Sequence, residues 1–527
     1  MRFRVRVAAL IAFAASPMLG ACRQHETPAA PPSAQDPCPR SAALKVGPGE
    51  GALYRSVAPF EHHDAQRTHR FNATCTVAEL AGDGVEPEIA QRVAPDDYSM
   101  PYILQTRERN QLYVYGFTPE TATQGGFVAR VDADSLKQLW RTWLPDPKPA
   151  AQWSWPGVVT VHGNGALYAV FGNRFYKLDA ESGEILARQS LPEGEYGAVY
   201  NGMDVLSDGR LVTKNMELGG ECSTLQLREK LAERSSRLLQ AVMPLQTFGG
   251  LLCHLKNNHL PSTLVVLDPG ELEVVAQIEL PEPITGRVST ERHDGTEYVY
   301  VPGSKNLFRY VYDGDKLEPD SSWGPVPYVE DGQGPAAAAS FLDGFAILHV
   351  NGYTRAGSLV AIDLRDASRS HRIEPFEWGD DIDIGPSFVL SMPSIDPENH
   401  LIVAIDTLAW RMGGVRFDAD KGFSMAWTRP AVSVAFSALT GPPESREIVV
   451  PDMLSLGPLS GDPIGTAASD RVLWLDAQTG EEIVASPALT HRPAPGNIVT
   501  PGFGGRFYYL GADGKLRELS VRAAVED

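Results

Sequence analysis

The sequence predicts an all-β fold, a single β-propeller, from three observations. An Asp or Asp-Gly turn recurs between two short apolar strands about every 45–55 residues, which is the repeat length of four-stranded blades. Apolar and polar residues alternate within each repeat, as they do in half-buried strands. Further turn residues separate the alternating segments. The seven Asp turns lie in Val131–Trp140, Leu178–Leu186, Leu267–Val275, Tyr312–Pro319, Ile362–His371, Phe417–Met425 and Leu475–Ile483.

Each blade is expected to contain strands A to D, with the Asp turn between C and D. The repeat predicts eight blades, or seven if the ends of the ring are misread. A last segment, Asn497–Val521, holds only three strands, so Tyr54–Phe60 or Ala73–Leu80 is expected to supply the fourth and remove the exposed edges. The other blades are expected at 99–147, 157–191, 200–280, 286–323, 336–376, 389–429 and 434–489.

The first 50 residues predict export and a membrane tether. Basic residues precede the short apolar run Val7–Ala15, as in a signal peptide covering residues 1–21. The run Leu19–Cys22 resembles the lipobox of bacterial lipoproteins, in which the Cys is lipidated; the alternative is an ordinary signal peptide with a chance Cys. Residues 22–50 are rich in Pro and Ala and are interpreted as a tether, followed by the propeller at 51–527. Acyl chains are the expected anchor, and Arg23 after the lipidated Cys favours delivery to the outer membrane, facing the periplasm or the exterior.

Charge and cysteine content narrow the function classes. The 527-residue chain carries a formal charge of −20, from 46 Lys and Arg against 66 Asp and Glu, which argues against nucleic-acid partners. Once Cys22 is lipidated, four cysteines remain and suggest two disulfides with three connectivities. Proximity in the sequence favours Cys38–Cys75 and Cys222–Cys253. There is no CxxC motif for zinc or redox exchange.

Chain direction assigns the connections to two faces. The D-to-A and B-to-C loops share one side, which we call the long-loop face because its loops are long and varied. The A-to-B and C-to-D turns share the other side, the tight-turn face. Binding and catalysis concentrate on long loops carried by a rigid scaffold, so the long-loop face is the predicted working face. An insertion at 218–261 in blade three predicts an amphipathic helix, either a lid over this face or a cover for the edge of its blade.

Two repeats support a family resemblance. Asn173–Leu191 and Asp470–Ala485 resemble repeats of the quinoprotein-type eight-bladed propellers, which include PQQ-dependent alcohol dehydrogenases and non-catalytic lipoproteins of outer-membrane assembly. The resemblance implies structural tryptophans in strand D, and these occur at Trp140 and Trp427. It also raises PQQ as a cofactor, although the adjacent Cys-Cys pair that contacts the quinone in those enzymes is absent here.

Candidate site residues come from the strand ends that the topology places near the central funnel. Each residue type could take part in binding or catalysis. Each could instead have a purely structural role in packing, in an ion pair or in a hydrogen-bonded network that fills the channel. The set comprises Trp153 and Trp155 for ring stacking, Tyr200, Asn201 and Lys214 for holding a carboxylate or for base chemistry, Arg287 as an anion clamp, and His349, Asn351, Asp406 and Asp452 for a ligand or divalent metal.

Two further groups of residues are interpreted from their surroundings in the sequence. Asp380, Asp381 and Asp383 resemble a calcium loop. The histidines His62, His63 and His69 precede the first blade and are expected to face solvent.

Two functions remain open from the sequence. The first is a lipid-anchored propeller that binds a small molecule or a protein on its long-loop face. The second is an enzyme acting as a lyase, hydrolase or quinoprotein-like oxidoreductase on a small polar or sugar-like substrate in the funnel. The common catalytic motifs GxSxG, HExxH and the P-loop are absent. Lys214, Arg287, His349 and Asp406 within one pocket would favour the enzyme.

Overall fold

The computed structural model describes most of the chain from Asp36 onward. The described residues are 36–48, 52–82, 84–98, 100–117, 125–145, 157–194, 197–218, 259–284, 286–376, 387, 389, 392–407, 409–431, 433, 435–452, 470–491, 493 and 496–524. Cys22, Trp153, Trp155, Cys222, Cys253, Asp380, Asp381 and Asp383, and the body of the predicted insertion, lie outside these residues.

Eight antiparallel four-stranded sheets form the propeller, which confirms the predicted fold class and the count of eight blades. The strands of the first four blades, in order A to D, are Met100–Thr106, Gln111–Phe117, Gly126–Asp132 and Gln138–Leu144 in blade 1; Val158–Val161, Leu167–Phe171, Arg174–Leu178 and Ile185–Ser190 in blade 2; Ala198–Val205, Leu211–Leu218, Thr263–Leu267 and Val274–Glu279 in blade 3; and Ser289–His293, Thr296–Pro302, Asn306–Tyr312 and Leu317–Pro319 in blade 4.

The second half of the ring repeats this order. Its strands are Gln333–Leu342, Phe345–Gly352, Ser358–Asp363 and Ser370–Ile373 in blade 5; Ser394–Asp396, Leu401–Asp406, Arg411–Asp418 and Gly422–Pro430 in blade 6; Ala438–Thr440, Glu447–Asp452, Arg471–Asp476 and Glu482–Ala485 in blade 7; and Thr500–Pro501, Arg506–Leu510, Lys515–Ala523 and the outer strand Pro87–Asp97 in blade 8.

The ring closes through a strand that neither sequence prediction named. Pro87–Asp97 pairs antiparallel with Lys515–Ala523 and is the fourth strand of blade 8. Both predicted segments are therefore wrong. Tyr54–Phe60 lies among the inner strands, and Ala73–Leu80 contains most of a short helix, Val77–Ala81, whose Thr76 cap forms a capping box with Glu79.

Few helices and extra strands complete the described structure. The bounds are Pro39–Ala43 and Val77–Ala81 for the α-helices, Pro397–Asn399, Pro443–Ser445 and Phe503–Gly505 for the 3-10 helices, and Arg70–Phe71, His259–Leu260 and Val326–Pro327 for the added strands. None of the helices within the described ranges has the length and apolarity that crossing a bilayer requires. A disulfide joins Cys38 and Cys75, which confirms one of the two predicted pairings.

The Asp turns and tryptophans bind neighbouring blades together. In the turn of blade 2, Asp179 Oδ1 accepts the backbone N–H of Ser182 at 2.7 Å, which fixes the turn. The indole N–H groups reach the turn of the following blade. They donate from Trp140 to Glu181 O at 2.9 Å, from Trp323 to Asp363 O at 2.9 Å and from Trp427 to Ala477 O at 3.0 Å. Trp323 was not predicted for this role.

Candidate functional site

The centre of the propeller is occupied by the chain's own N-terminal region. The A strands of neighbouring blades pack against one another around the central channel. Residues 52–71, which we call the channel strap, run through the tight-turn end of this channel. Backbone carbonyls of the strap accept hydrogen bonds from the A strands of blades 1, 2, 4, 5, 6 and 7, in that order along the strap. They are Thr106 N to Ala58 O, Val161 N to Pro59 O, Thr290 N to Ala65 O, Ser340 Oγ to Arg67 O, Ile395 N to Thr68 O and Leu439 N to His69 O.

Glu61 of the strap is the centre of a buried ion-pair cluster. Arg287, the first side chain of blade 4, donates from Nε and Nη2 to the two carboxylate oxygens at 2.9 and 2.7 Å. Arg287 Nη2 also donates to Tyr102 Oη at 2.9 Å. Arg67 Nη1 approaches Glu61 at 3.5 Å, and its other nitrogens donate to backbone carbonyls, including Met203 O of blade 3 at 3.1 Å. The predicted anion clamp at Arg287 therefore holds a carboxylate of this chain.

The charges in this cluster set its protonation. Burial disfavours an ionised Glu61, but the positive charges of Arg287 and Arg67 outweigh it and hold the pKa of Glu61 below its ordinary value. Burial raises the pKa of Tyr102, so its phenol stays protonated. The cluster is thus a bidentate carboxylate–guanidinium pair whose charge is balanced within the protein.

A row of polar contacts continues from Glu61 across the channel, and its hydrogen bonds begin at His62. Glu61 Oε1 lies 3.4 Å from His62 Nε2, and His62 Nδ1 lies 2.8 Å from His69 Nε2. His69 Nδ1 is 2.9 Å from Ser394 Oγ, which is 2.7 Å from Ser437 Oγ. A Ser–His pair of this kind can activate a nucleophile where a substrate can reach it. Here both serines are buried, so the row fastens the strap to the A strands of blades 6 and 7.

The two histidines of this row are neutral. Burial lowers the pKa of His62 to about 4, although Glu61 favours its protonated form. Burial likewise holds the pKa of His69 well below its usual range. The two rings lie against Phe436, at centroid distances of 4.4 and 5.3 Å. The expectation that His62 and His69 face solvent is wrong: they are 3% and 0% exposed.

A small cavity remains beside the cluster. Its volume is about 20 Å³, and its polar lining comes from Glu61, His62, Tyr102 and Asn497. This space suffices for one water molecule, whereas ligand pockets are typically about 300–1,000 Å³. The cavity is therefore a gap in the packing of the strap and not a substrate pocket.

The predicted cluster on blade 3 lies close to Arg287 but is buried. Lys214 is 1% exposed, and its Nζ donates to Ile284 O at 3.0 Å. Burial, together with nearby Arg287, holds the pKa of Lys214 well below its ordinary value. Tyr200 donates its hydroxyl to Pro192 O at 2.7 Å, and Asn201 is fully buried beside it. The premise that Lys214 is accessible from the surface is wrong.

A second group of predicted residues lies between blades 5 and 6. The His349 ring is buried, and neither ring nitrogen has a hydrogen-bond partner. Burial lowers the pKa of His349 to about 4, although Asp406 favours its protonation. Asp406 accepts hydrogen bonds from Ser387 Oγ and, at 3.0 Å, from Ala409 N. The side-chain amide of Asn351 makes two hydrogen bonds. Its Nδ2 donates to Pro335 O at 2.9 Å, and its Oδ1 accepts from Val389 N at 2.7 Å.

Asp452 is the last residue of the B strand of blade 7. It forms an ion pair with Arg471 at 3.5 Å. Across the described ranges, no three His, Cys, Asp or Glu side chains are arranged to hold a metal ion. The cavity beside the strap and the two surface pockets at the turns of blades 4 and 6 contain none of Lys214, Arg287, His349 and Asp406. Lys214 and Arg287 bond to Ile284 and Glu61, whereas His349 and Asp406 lie between blades 5 and 6.

Sequence reasoning missed the strap residues that organise the centre, namely Glu61, Arg67 and His69. The available signal was the density of titratable residues in Glu61–Arg70, which contains four acidic or basic residues and three histidines within ten positions. Polar residues in such a run usually face solvent. Here they do not, because they pair with one another and with inner-strand residues more than 100 positions away in the sequence.

Comparisons with known proteins concern the fold. No protein-family model and no curated protein matches the chain. The structure resembles the quinohemoprotein alcohol dehydrogenase ADHIIG of Pseudomonas putida HK5, with 11% identity and a TM-score of 0.51 over 91% of this chain and 81% of that chain. It also aligns with the quinohemoprotein alcohol dehydrogenase of Comamonas testosteroni, at 11% identity and a TM-score of 0.45 over 92% and 84% of the two chains. BamB from Moraxella catarrhalis aligns at 12% identity and a TM-score of 0.42 over 82% of this chain and 99% of that chain.

This likeness raises the question of whether PQQ fits the channel. A three-ring quinone there would need a slot of ligand size with polar groups free to hold it. The cavity beside the strap measures about 20 Å³, and the guanidinium groups of Arg67 and Arg287 already hold Glu61 and backbone carbonyls. The residues described around the strap therefore do not fit PQQ.

Proposed function

We propose that this protein is a lipid-anchored, exported propeller that binds a ligand or a protein partner on its long-loop face. The observation that carries the proposal is the channel strap. It occupies the tight-turn end of the central channel, and its own Glu61 pairs with Arg287, the cation predicted to clamp an anionic ligand. Binding is then left to the loops outside the channel, where rigid scaffolds commonly place it.

Two further features support this function. The Cys38–Cys75 disulfide suits an exported protein, since such bonds persist in oxidising compartments. The lipobox-like run that ends at Cys22 supplies an anchor. The enzyme alternative has less support, because Lys214, Arg287, His349 and Asp406 are all buried.

The anchor is tested by substituting Cys22. A Cys22→Ser variant should leave the membrane fraction and carry no acyl chains by mass spectrometry, whereas the wild type should carry them. A Cys75→Ser, Cys38→Ser double variant is the matched control, since it also loses sulfhydryl groups but keeps Cys22. Equal membrane fractionation of Cys22→Ser and the wild type would contradict the lipid anchor.

The binding face is tested by photo-crosslinking in the membranes of producing cells. A photoreactive amino acid is placed at Asp331 or Tyr353, which are exposed on the long-loop face. The matched controls are Lys421 and Asp315, which are exposed in Asp turns of the tight-turn face. We expect adducts of defined mass only from the first pair. Adducts only from the tight-turn positions would overturn the proposed face.

A further inference from the structure

The position of Asp36 shows from which side the first described residues approach the propeller. Arg109, in the A-to-B turn of blade 1, donates to Asp36 Oδ2 at 2.6 Å and to Ser41 O at 3.0 Å. Gly504, in the A-to-B connection of blade 8, donates its N–H to Ser41 Oγ at 3.2 Å. Both connections belong to the tight-turn face. The Cys38–Cys75 disulfide fixes this segment there covalently.

The chain between the anchor and this attachment point is short. Fourteen residues run from Arg23 to Asp36. Fully extended, they span at most about 50 Å. This upper bound limits how far the attachment point can lie from a bilayer that holds acyl chains on Cys22.

The distance from the attachment point to the long-loop face uses most of that reach. Crossing a blade from strand A to strand D takes three inter-strand gaps, about 14 Å. Passing along an outer strand of seven residues, such as Gln138–Leu144, adds about 23 Å. The path of about 37 Å would leave only about 13 Å of chain for the bilayer interface. If the tether leaves directly from the tight-turn face, its full length of at most about 50 Å is available to reach the bilayer.

The charge of the tight-turn face affects how closely the face approaches lipid. The side chains of Asp315 and Asp420, in two of its Asp turns, are each 91% exposed. Each of these carboxylates is paired with an arginine, Asp315 with Arg210 and Asp420 with Arg369, and the ammonium of Lys421 is also exposed there. The tight-turn face therefore presents charged groups of both signs to the bilayer.

We infer that the propeller is held with its tight-turn face toward the membrane and its long-loop face toward the aqueous compartment. The inference rests on the proposed lipid anchor and specifies the partner of the proposed binding face. That partner approaches from the aqueous side, as a soluble molecule or as the part of a membrane protein that projects beyond the propeller. A lipid headgroup in the anchoring bilayer does not meet this requirement.

The orientation is tested by energy transfer in proteoliposomes containing the intact lipidated protein. A fluorescent amino acid is placed at Lys421 or Asp315 on the tight-turn face and, as matched controls, at Asp331 or Tyr353 on the long-loop face. The acceptor is a labelled lipid headgroup in the outer leaflet. We expect transfer from the tight-turn positions to exceed transfer from the long-loop positions at least twofold.

The outcomes separate this inference from the proposed function. Equal transfer from the two faces, or stronger transfer from the long-loop positions, overturns the orientation while the anchor and the binding face stand. Absence of acyl chains on Cys22 in the reconstituted protein overturns the anchor and the orientation together. Extending the sequence with a Pro/Ala spacer after Arg23 should lower transfer at Lys421, and an unchanged value would also contradict the orientation.

Discussion

At the scale of single residues, the contacts between blades depend on glycine as much as on tryptophan. Gly480 in the Asp turn of blade 7 has a φ of +72°, and a Cβ there would lie 2.5 Å from the Trp427 ring. Gly183 meets Trp140 in the same way, at 2.6 Å. The Asp-x-x-x-Gly pattern in these turns therefore serves two needs, a left-handed backbone and space for an indole of the preceding blade.

The first prediction separates these two needs. Gly480→Ala should lower the free energy of unfolding by roughly 3 kcal/mol, because strain at positive φ adds to a clash with Trp427. Gly344→Ala is the matched control, since Gly344 has a φ of +81° but no atom near the added Cβ. The free energy of unfolding of Gly344→Ala should fall by only about 1 kcal/mol. Equal losses in urea unfolding would show that the indole contact contributes nothing.

The second prediction concerns Lys214. Its amine is buried with one carbonyl partner, so the charged form has lost its hydration without gaining a carboxylate. Lys214→Met keeps the volume and should change stability by less than about 1 kcal/mol, or increase it. Lys214→Ala leaves a cavity and should lose about 2–4 kcal/mol. A loss for Lys214→Met as large as that for Lys214→Ala in urea unfolding would mean that the amine, which both variants lack, itself stabilises the blade.

Residue-level prediction from the sequence succeeded where the pattern was local. The family resemblance implied Trp140 and Trp427, and proximity in the sequence favoured Cys38–Cys75. Trp323 was missed because its blade has a short D strand, Leu317–Pro319, which ends before the tryptophan. The burial of Lys214 was missed because strand alternation cannot show what fills a central channel.

At the scale of elements, the strap acts as a ninth component of the ring. It contacts the A strands in the order of the blades, so one segment links strands that are otherwise joined only to their neighbours. Its main side-chain link is the pair of Glu61 and Arg287, both buried. A buried pair of this kind is costly to break, because the remaining charge stays dehydrated.

The third prediction tests that link with a double-mutant cycle. Arg287→Met should lower the free energy of unfolding by about 3–5 kcal/mol, since the nearest cation left to Glu61 is then Arg67 at 3.5 Å, beside the neutral His62. The additional change Glu61→Gln should recover part of this loss, giving a coupling of at least about 1 kcal/mol. Arg365→Met is the control, because its pair with Asp294 is exposed and should matter by less than about 1 kcal/mol. Additive losses in the cycle would contradict a coupled pair.

The elements themselves were predictable to different degrees. Strands with alternating burial, such as Ile185–Ser190, follow directly from the sequence pattern. The closing strand Pro87–Asp97 does not, because it contains two prolines and is largely polar. Its role as an outer strand explains both features, since outer strands tolerate proline and face solvent. The strap was not predicted because it has no periodicity and lies in the channel without belonging to a blade.

At the scale of the whole molecule, buried titratable groups make stability depend on pH in two opposed ways. His62 and His349 have folded pKa values of about 4, below the ordinary 6.5, so they destabilise the fold as pH falls from 6.5 towards 4. Burial raises the pKa of Glu447 to about 8 and of Glu291 to about 7. These carboxyls contribute stability at low pH and lose it as pH rises from their ordinary value of 4.5 through those values.

The fourth prediction compares two variants whose free energies of unfolding should change with pH in opposite directions relative to the wild type. When pH falls from 7 to 5, the free energy of unfolding of His349→Phe should rise by about 2 kcal/mol relative to that of the wild type, since the unfolded histidine binds a proton that the folded one excludes. For Glu447→Gln, the same relative free energy should rise by about 2–3 kcal/mol when pH is raised from 5 to 7. Urea unfolding at both pH values measures these differences. Parallel pH profiles for the wild type and His349→Phe would contradict a neutral buried His349.

The closing strand has a consequence for the order of events during synthesis. Lys515 donates to Pro95 O across blade 8, and these two residues are 420 positions apart. At about 5–20 residues per second, a ribosome needs about 20–80 s to make the chain between them. Throughout that interval Pro87–Asp97 has no partner strand from blade 8, and its unpaired backbone is open to other chains. Newly made molecules are therefore most vulnerable to association with one another before the final blade emerges, and a circular permutant that begins near Met100 would shorten that vulnerable period.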